Sequence, residues 1–258
     1  MRSGAAWLSG QSATPYHFYF GSLDPDVPTF LQLANSSAAV DMSALPSDGP
    51  LYSYTTRSGE IEASGYSSLT VNTPSGRVGD EQLNLTLDPN SVVLGTMTLQ
   101  DNADVEMQGD GALNNANTTL ADSSETVDVA VIGQGVFDAS FYSTLHFGGE
   151  YVAPSQTVKL AGAAHLILDA TTDFHALVQL QDLATSGRID LHGVNAADAS
   201  FSNDMLTLSK AGVTTATLRM TDNAGGGGFE VESTPNGVSV LPMNAYPDQG
   251  GTIIARFT

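Results

Sequence analysis

The side chains best able to do chemistry here are five histidines and 28 carboxylates, set against only eight lysines and arginines and no cysteine. Without thiols there are no disulfides, thiolate metal sites or cysteine nucleophiles. No two histidines stand two to five residues apart, as zinc sites require; the nearest pair, His165 and His175, falls on what should be different strands. His146, between Leu145 and Phe147, is expected to point outward from its strand. Calcium prefers many oxygen ligands from turn-rich loops, and Asp101, Asn102, Asp104, Asp110 and Asn114 lie close together in such a stretch. Asp101, Asp104 and Asp110 are therefore the candidate metal ligands. A solvated acidic corner is the expected reading, because neither EF-hand spacing nor a GGxGxD nonapeptide occurs. Gly225 to Gly228 has no following lysine or helix start and reads as a corner, not a phosphate loop. No catalytic residue and no organic cofactor is assigned.

The charge balance narrows the partners. At a formal net charge of -20 there is no Lys/Arg cluster to release counterions from nucleic acid, and an anionic lipid surface is repelled. No apolar run approaches the roughly 20 residues of a membrane span, so no membrane insertion is expected. The start, Met1-Arg2-Ser3-Gly4-Ala5-Ala6-Trp7-Leu8, runs into Ser9, Gly10, Gln11 and Ser12 too soon for a signal peptide. The expectation is a secreted or surface protein exported without an N-terminal signal, or alternatively a cytoplasmic filament.

The elements that would position any site are short strands. Gly, Ala, Ser, Thr, Asn and Asp dominate, while the residues that fill exposed helix faces are scarce, so long helices are not expected. Apolar alternation recurs at Leu83–Leu87, Met97–Leu99, Val105–Met107, Val127–Val131, Leu145–Phe147, Val158–Leu160, Leu166–Leu168, Leu177–Leu180, Ile189–Leu191, Leu206–Leu208, Ala216–Met220, Phe229–Val231 and Val238–Val240. This is the period-two signature of half-buried strands, spaced roughly 8–12 residues apart. Small polar connections such as Gln108-Gly109-Asp110-Gly111 suit tight left-handed corners. Aromatic residues make up only 7%, which favours a narrow coil filled by Val, Leu, Ile and Ala over a sandwich or barrel.

The predicted fold is all-β: a β-solenoid (parallel β-helix) with rungs of about 20–25 residues. Residues 1–60, rich in aromatic rings and prolines, are expected to form an irregular N-terminal cap or docking segment. The solenoid is expected over 61–241, and a C-terminal capping strand or tail over 242–258.

At 189–220, Ile189-Asp190-Leu191-His192-Gly193, Ala199-Ser200-Phe201-Ser202-Asn203, Leu206-Thr207-Leu208-Ser209 and Ala216-Thr217-Leu218-Arg219-Met220 are followed by the glycine run and Phe229-Glu230-Val231. This stretch, about a quarter of the chain, resembles a recurring unit of large bacterial surface and secreted β-solenoid proteins. The resemblance implies a solenoid fold and carries no activity motif. In general build the chain is also similar to the bactofilins, β-solenoid cytoskeletal proteins that polymerise end to end.

From architecture, the expected role is a non-enzymatic structural protein that associates with itself into a filament, sheet or surface layer, as in a biofilm matrix. The alternative is a polysaccharide-binding adhesin or matrix module, with Tyr142, Phe147 and Tyr151 as the exposed rings. Third stands a β-helical polysaccharide lyase or hydrolase. Such enzymes need paired carboxylates, or basic residues beside bound calcium, and basic residues are scarce here.

Overall fold

The computed structural model describes residues 5–9, 16–19, 29–41, 57–72, 81–100, 103–183, 187–222 and 229–242. In them the chain runs through β1 (Ala5–Ser9), β2 (Tyr16–Tyr19), β3 (Thr29–Ala34), β4 (Ser37–Asp41), β5 (Arg57–Ser64), β6 (Tyr66–Asn72) and β7 (Glu81–Leu87). It continues with β8 (Val92–Gln100), β9 (Ala103–Ala121), β10 (Ser124–Ile132), β11 (Gly135–Ser140), β12 (Thr144–Phe147), β13 (Gln156–Gly162) and β14 (His165–Leu168). The last third holds β15 (Leu177–Leu183), β16 (Arg188–His192), β17 (Asp198–Ser202), β18 (Met205–Lys210), β19 (Val213–Asp222), β20 (Phe229–Thr234) and β21 (Gly237–Pro242). The strands expected from apolar alternation all fall within these elements, and no helix occurs among the described residues.

Successive rungs stack in parallel, which makes the fold a β-solenoid. Asp104 lies opposite Ser124, Ser124 opposite Thr144, Thr144 opposite His165 and His165 opposite Arg188, at intervals of 20, 20, 21 and 23 residues. In the middle of the coil each rung has three short faces. Asp104–Met107, Ala112–Asn114 and Asn117–Ala121 pair with Ser124–Val127, Ala130–Ile132 and Val136–Ser140. The corners between faces use left-handed backbone, supplied by Asn115 (φ 50°), Asp122 (φ 53°) and Gly109 (φ 116°). A Cβ on Gly109 would also stand 2.3 Å from the Leu87 carbonyl oxygen, so close stacking excludes a side chain there.

Period-two alternation places every second side chain inside. Leu31, Ile61, Leu85, Met107, Val127, Phe147, Leu168 and Leu191 form one column through successive rungs, each buried. Each such side chain contributes roughly 1.5–3 kcal/mol through burial. Aromatic rings also enter the core: Phe137 meets Phe147 edge-on with centroids 5.3 Å apart, and Phe147 meets Phe174 at 5.2 Å.

Two features differ from the sequence expectation. Within residues 1–60, β1 pairs with β3, β2 with β4 and β3 with β5, all in parallel register, so rungs already occur in the segment expected to be an irregular cap. The reason is ordinary alternation: Leu31, Leu33, Ala38 and Val40 are buried in the same core as the later rungs. Most of the prolines and tyrosines that suggested a cap, and the whole of 243–258, lie outside the described residues.

At the other end, parallel stacking gives way to antiparallel pairing before residue 241. β17, β18 and β19 form a meander, β21 covers the edge of β16, and β20 pairs with β21. The turns explain the change. Asn203-Asp204 and Ala211-Gly212 all have positive φ, the geometry of two-residue hairpins, which join antiparallel strands only. The stretch that resembles a surface-protein repeat thus holds the rung strand β16 and an antiparallel meander whose last strand, β19, also stacks in parallel on β15.

Candidate functional site

The three outward columns of the face built by β12, β14 and β16 carry most of the histidines. Alternation turns Leu145, Phe147, Leu166, Leu168, Ile189 and Leu191 inward, and leaves His146, His165, Arg188, Asp190 and His192 outside, as expected for His146. Asp169 follows β14 directly. Its carboxylate ties its rung to the next through His192, whose Nδ1 lies 2.6 Å from Oδ1 in a hydrogen bond, while His146 Nε2 of the preceding rung lies 3.1 Å from Oδ2 without hydrogen-bond geometry. The two rings stand 6.3 Å apart.

A second carboxylate, Asp190, is largely buried and has three neighbours on three strands. His165 Nε2 lies 2.7 Å from Oδ2, Arg188 Nε lies 3.3 Å from the same oxygen, and the Ser239 hydroxyl of β21 donates to Oδ1. Arg188 Nε also lies 3.1 Å from His165 Nε2. One nitrogen cannot donate to Asp190 and accept from Arg188 at once. The bond to the carboxylate wins because the acceptor is charged, so Nε2 carries the hydrogen and Arg188 also turns to Asp190. Burial lowers the His165 pKa, with Asp190 opposing and Arg188 adding to the effect, so this imidazole is neutral at neutral pH.

Asp190 therefore fastens the antiparallel cap to the last rung. Changing Asp190 to Ala is expected to cost about 2 kcal/mol in urea denaturation, since the Ser239, His165 and Arg188 donors all lose a charged acceptor. A loss below roughly 0.5 kcal/mol would show that the contacts are ornamental.

The geometry ties rungs together. A groove of about 240 Å³ is lined by Ala103, Asp122, Ser123, Ser124, Tyr142 and Thr144, and another of about 250 Å³ by Thr171, Thr172 and Thr214–Thr217. Neither includes a member of the histidine network.

Of the calcium candidates, Asp101 lies outside the described residues. Asp104 and Asp110 are exposed on the same long strand, β9, with Asp110 beyond the Gly109 corner. Asp104 accepts a hydrogen bond from Ser124 Oγ at 2.7 Å. Among the described residues no group of three or more His, Asp or Glu is placed to hold a metal ion.

The aromatic candidates divide. Tyr142 and Tyr151 are exposed, whereas Phe147 is a core residue and is withdrawn as a surface ring. Alternation around Leu145 gives Phe147 the same inward orientation. Two features escaped the sequence reading: the exposed Phe141 beside Tyr142, and Glu125, fully buried in an inward column between Val105 and Leu145.

The chain matches no family model, and comparison with the curated proteins and with the solved structures finds no match.

Proposed function

We propose that this chain is a non-enzymatic structural protein that assembles with itself by continuing its own rung stacking. The observation that supports this is the parallel stacking itself: from β1 on β3 to β14 on β16, each strand pairs in register with the matching strand of the next rung, a pattern that a second copy can continue. An unpaired strand edge presents N–H and C=O groups that a further strand satisfies, and parallel rungs leave the core column open along with it.

A second copy meeting such an edge gives a head-to-head pair related by twofold symmetry. Larger sheets or layers then require lateral contacts between the rods. With a net charge of -20, approach of two copies is opposed at low salt and eased by salt or acid.

The test is sedimentation and electron microscopy across salt, calcium and pH. The expected result is conversion of monomers into rods of about twice the length as salt rises, with the midpoint moving with protein concentration. Protein that stays monomeric under every condition ends the proposal.

A further inference from the structure

Where the third face turns into the first, successive rungs make the corner with different numbers of residues. Ala121 lies opposite Ser140 and Ser124 opposite Thr144, so Asp122-Ser123 in one rung becomes Phe141-Tyr142-Ser143 in the next. The extra residue swings Tyr142 out over the rung beneath, and the step so formed is the groove lined by Asp122, Ser123, Ser124, Tyr142 and Thr144.

Phe141 makes the corner unusual. Its φ is 58°, in the left-handed region that a bulky residue rarely adopts, while Asp122 and Gly162 take the matching positions of the neighbouring rungs. A Cβ on Gly162 would lie 3.3 Å from the Phe141 backbone nitrogen, which places the two corners directly upon one another. Folding gains little from the strained phenylalanine, because its side chain is left outside: Phe141 is 64% exposed and Tyr142 76%. Strain held without internal benefit points to a partner beyond the molecule.

We propose that the Phe141–Tyr142 corner binds a neutral polysaccharide, one pyranose unit seated in the groove with its C–H face on the Tyr142 ring. The chemistry fits on three counts. Exposed aromatic rings offer apolar faces with a polar edge. Asp122 accepts from sugar hydroxyls, Thr144 can donate or accept, and Ser124 Oγ, whose hydrogen goes to Asp104, accepts. The groove is open and smaller than the roughly 300 Å³ at which pockets begin to enclose a drug-sized ligand, so it suits one unit of a chain passing across it. Anionic glycans are excluded by Asp122 and the net charge of -20. This site is independent of the assembly proposed above, since it lies on the flank of the coil and not at its open edge.

The test is affinity electrophoresis of the full chain in native gels containing hydroxyethylcellulose, xyloglucan, galactomannan or laminarin, with alginate as the anionic control. Retardation is expected in at least one neutral gel and not in alginate. Tyr142→Ala and Phe141→Gly should each weaken it at least tenfold. Phe141→Gly also relieves the left-handed backbone, so its melting temperature should be equal to or above that of the parent while binding is lost. No retardation in any neutral gel, equal retardation in alginate, undiminished retardation of both variants, or a lowered melting temperature for Phe141→Gly would each overturn the proposal.

Discussion

Replacing Glu125 by Leu is expected to stabilise the protein by several kcal/mol at alkaline pH and to remove most of its loss of stability between pH 5 and 9. Glu125 is fully buried in a column whose neighbours in adjoining rungs are Val105 and Leu145. Thr118 Oγ1 donates to Oε1 at 3.3 Å, and Oε2 has no partner. Burial pushes the carboxyl pKa from 4.5 to about 8, and the Thr118 hydrogen bond opposes the shift only in part. The group is therefore neutral in the native protein at pH 7 and ionised in the unfolded chain.

The sign follows directly. Between 4.5 and about 8 the native state holds a proton that the unfolded state lacks, so stability falls as pH rises, by about 1.4 kcal/mol per pH unit at full difference. Below 4.5 the two states are alike, and above about 8 the penalty stays at its full value. His165 acts oppositely, because its lowered pKa makes the native state weaker as pH falls below the usual imidazole range. The clearest window is thus pH 6.5 to 8, where Glu125 dominates. Urea denaturation across that range should show a falling midpoint for the parent and a nearly level one for Glu125→Leu. Glu125→Gln should level the curve too but gain less, because a buried amide still lacks partners. If the parent is as stable at pH 8 as at pH 6.5, the buried carboxyl is not carrying the effect.

The inward columns were legible in the sequence because a strand's period of two needs only local residues to read. Triplets such as Leu166-Ile167-Leu168 and Ile189-Asp190-Leu191 announced both strand and orientation. Register was not legible, since parallel rungs pair across 20 or so residues and the corner lengths that set the pairing are decided by backbone geometry. The histidine network shows the cost. His146 and His192 each lie 23 residues from Asp169, and His165 lies 25 from Asp190, so their contacts recur at the length of a rung. A search at the two-to-five spacing of zinc ligands passes over them. The antiparallel cap did leave a local signal: Asn203-Asp204 and Lys210-Ala211-Gly212-Val213 are hairpin turns by composition. Composition alone does not separate them from solenoid corners, because both kinds of turn favour Asn, Asp and Gly. Glu125 had no signal of its own beyond its place in Glu125-Thr126-Val127, where alternation with Val127 turns it inward.

Phe137→Ala should cost about 3–5 kcal/mol, the range for removing a buried ring whose cavity cannot collapse. Composition suggested that a narrow coil of Val, Leu, Ile and Ala needs no rings, yet Phe137, Phe147 and Phe174 stack edge to face through the centre. The walls around Phe137 are held by parallel pairing on both sides, with Thr118 in one rung and Val158 in the next, so neither wall can move in to fill the space. Loss of the ring also strips Phe147 of an edge-to-face contact, worth roughly 0.5–1.5 kcal/mol beyond area. Phe137→Leu keeps most of the volume and should cost much less, near 1 kcal/mol. Because each rung touches only its neighbours, a weakened centre is expected to split the urea transition into two steps, one for each flank. A single transition with a loss below about 1 kcal/mol would mean that the coil tolerates a void at its axis, and that the aromatic stack is filler where small aliphatic side chains would serve as well.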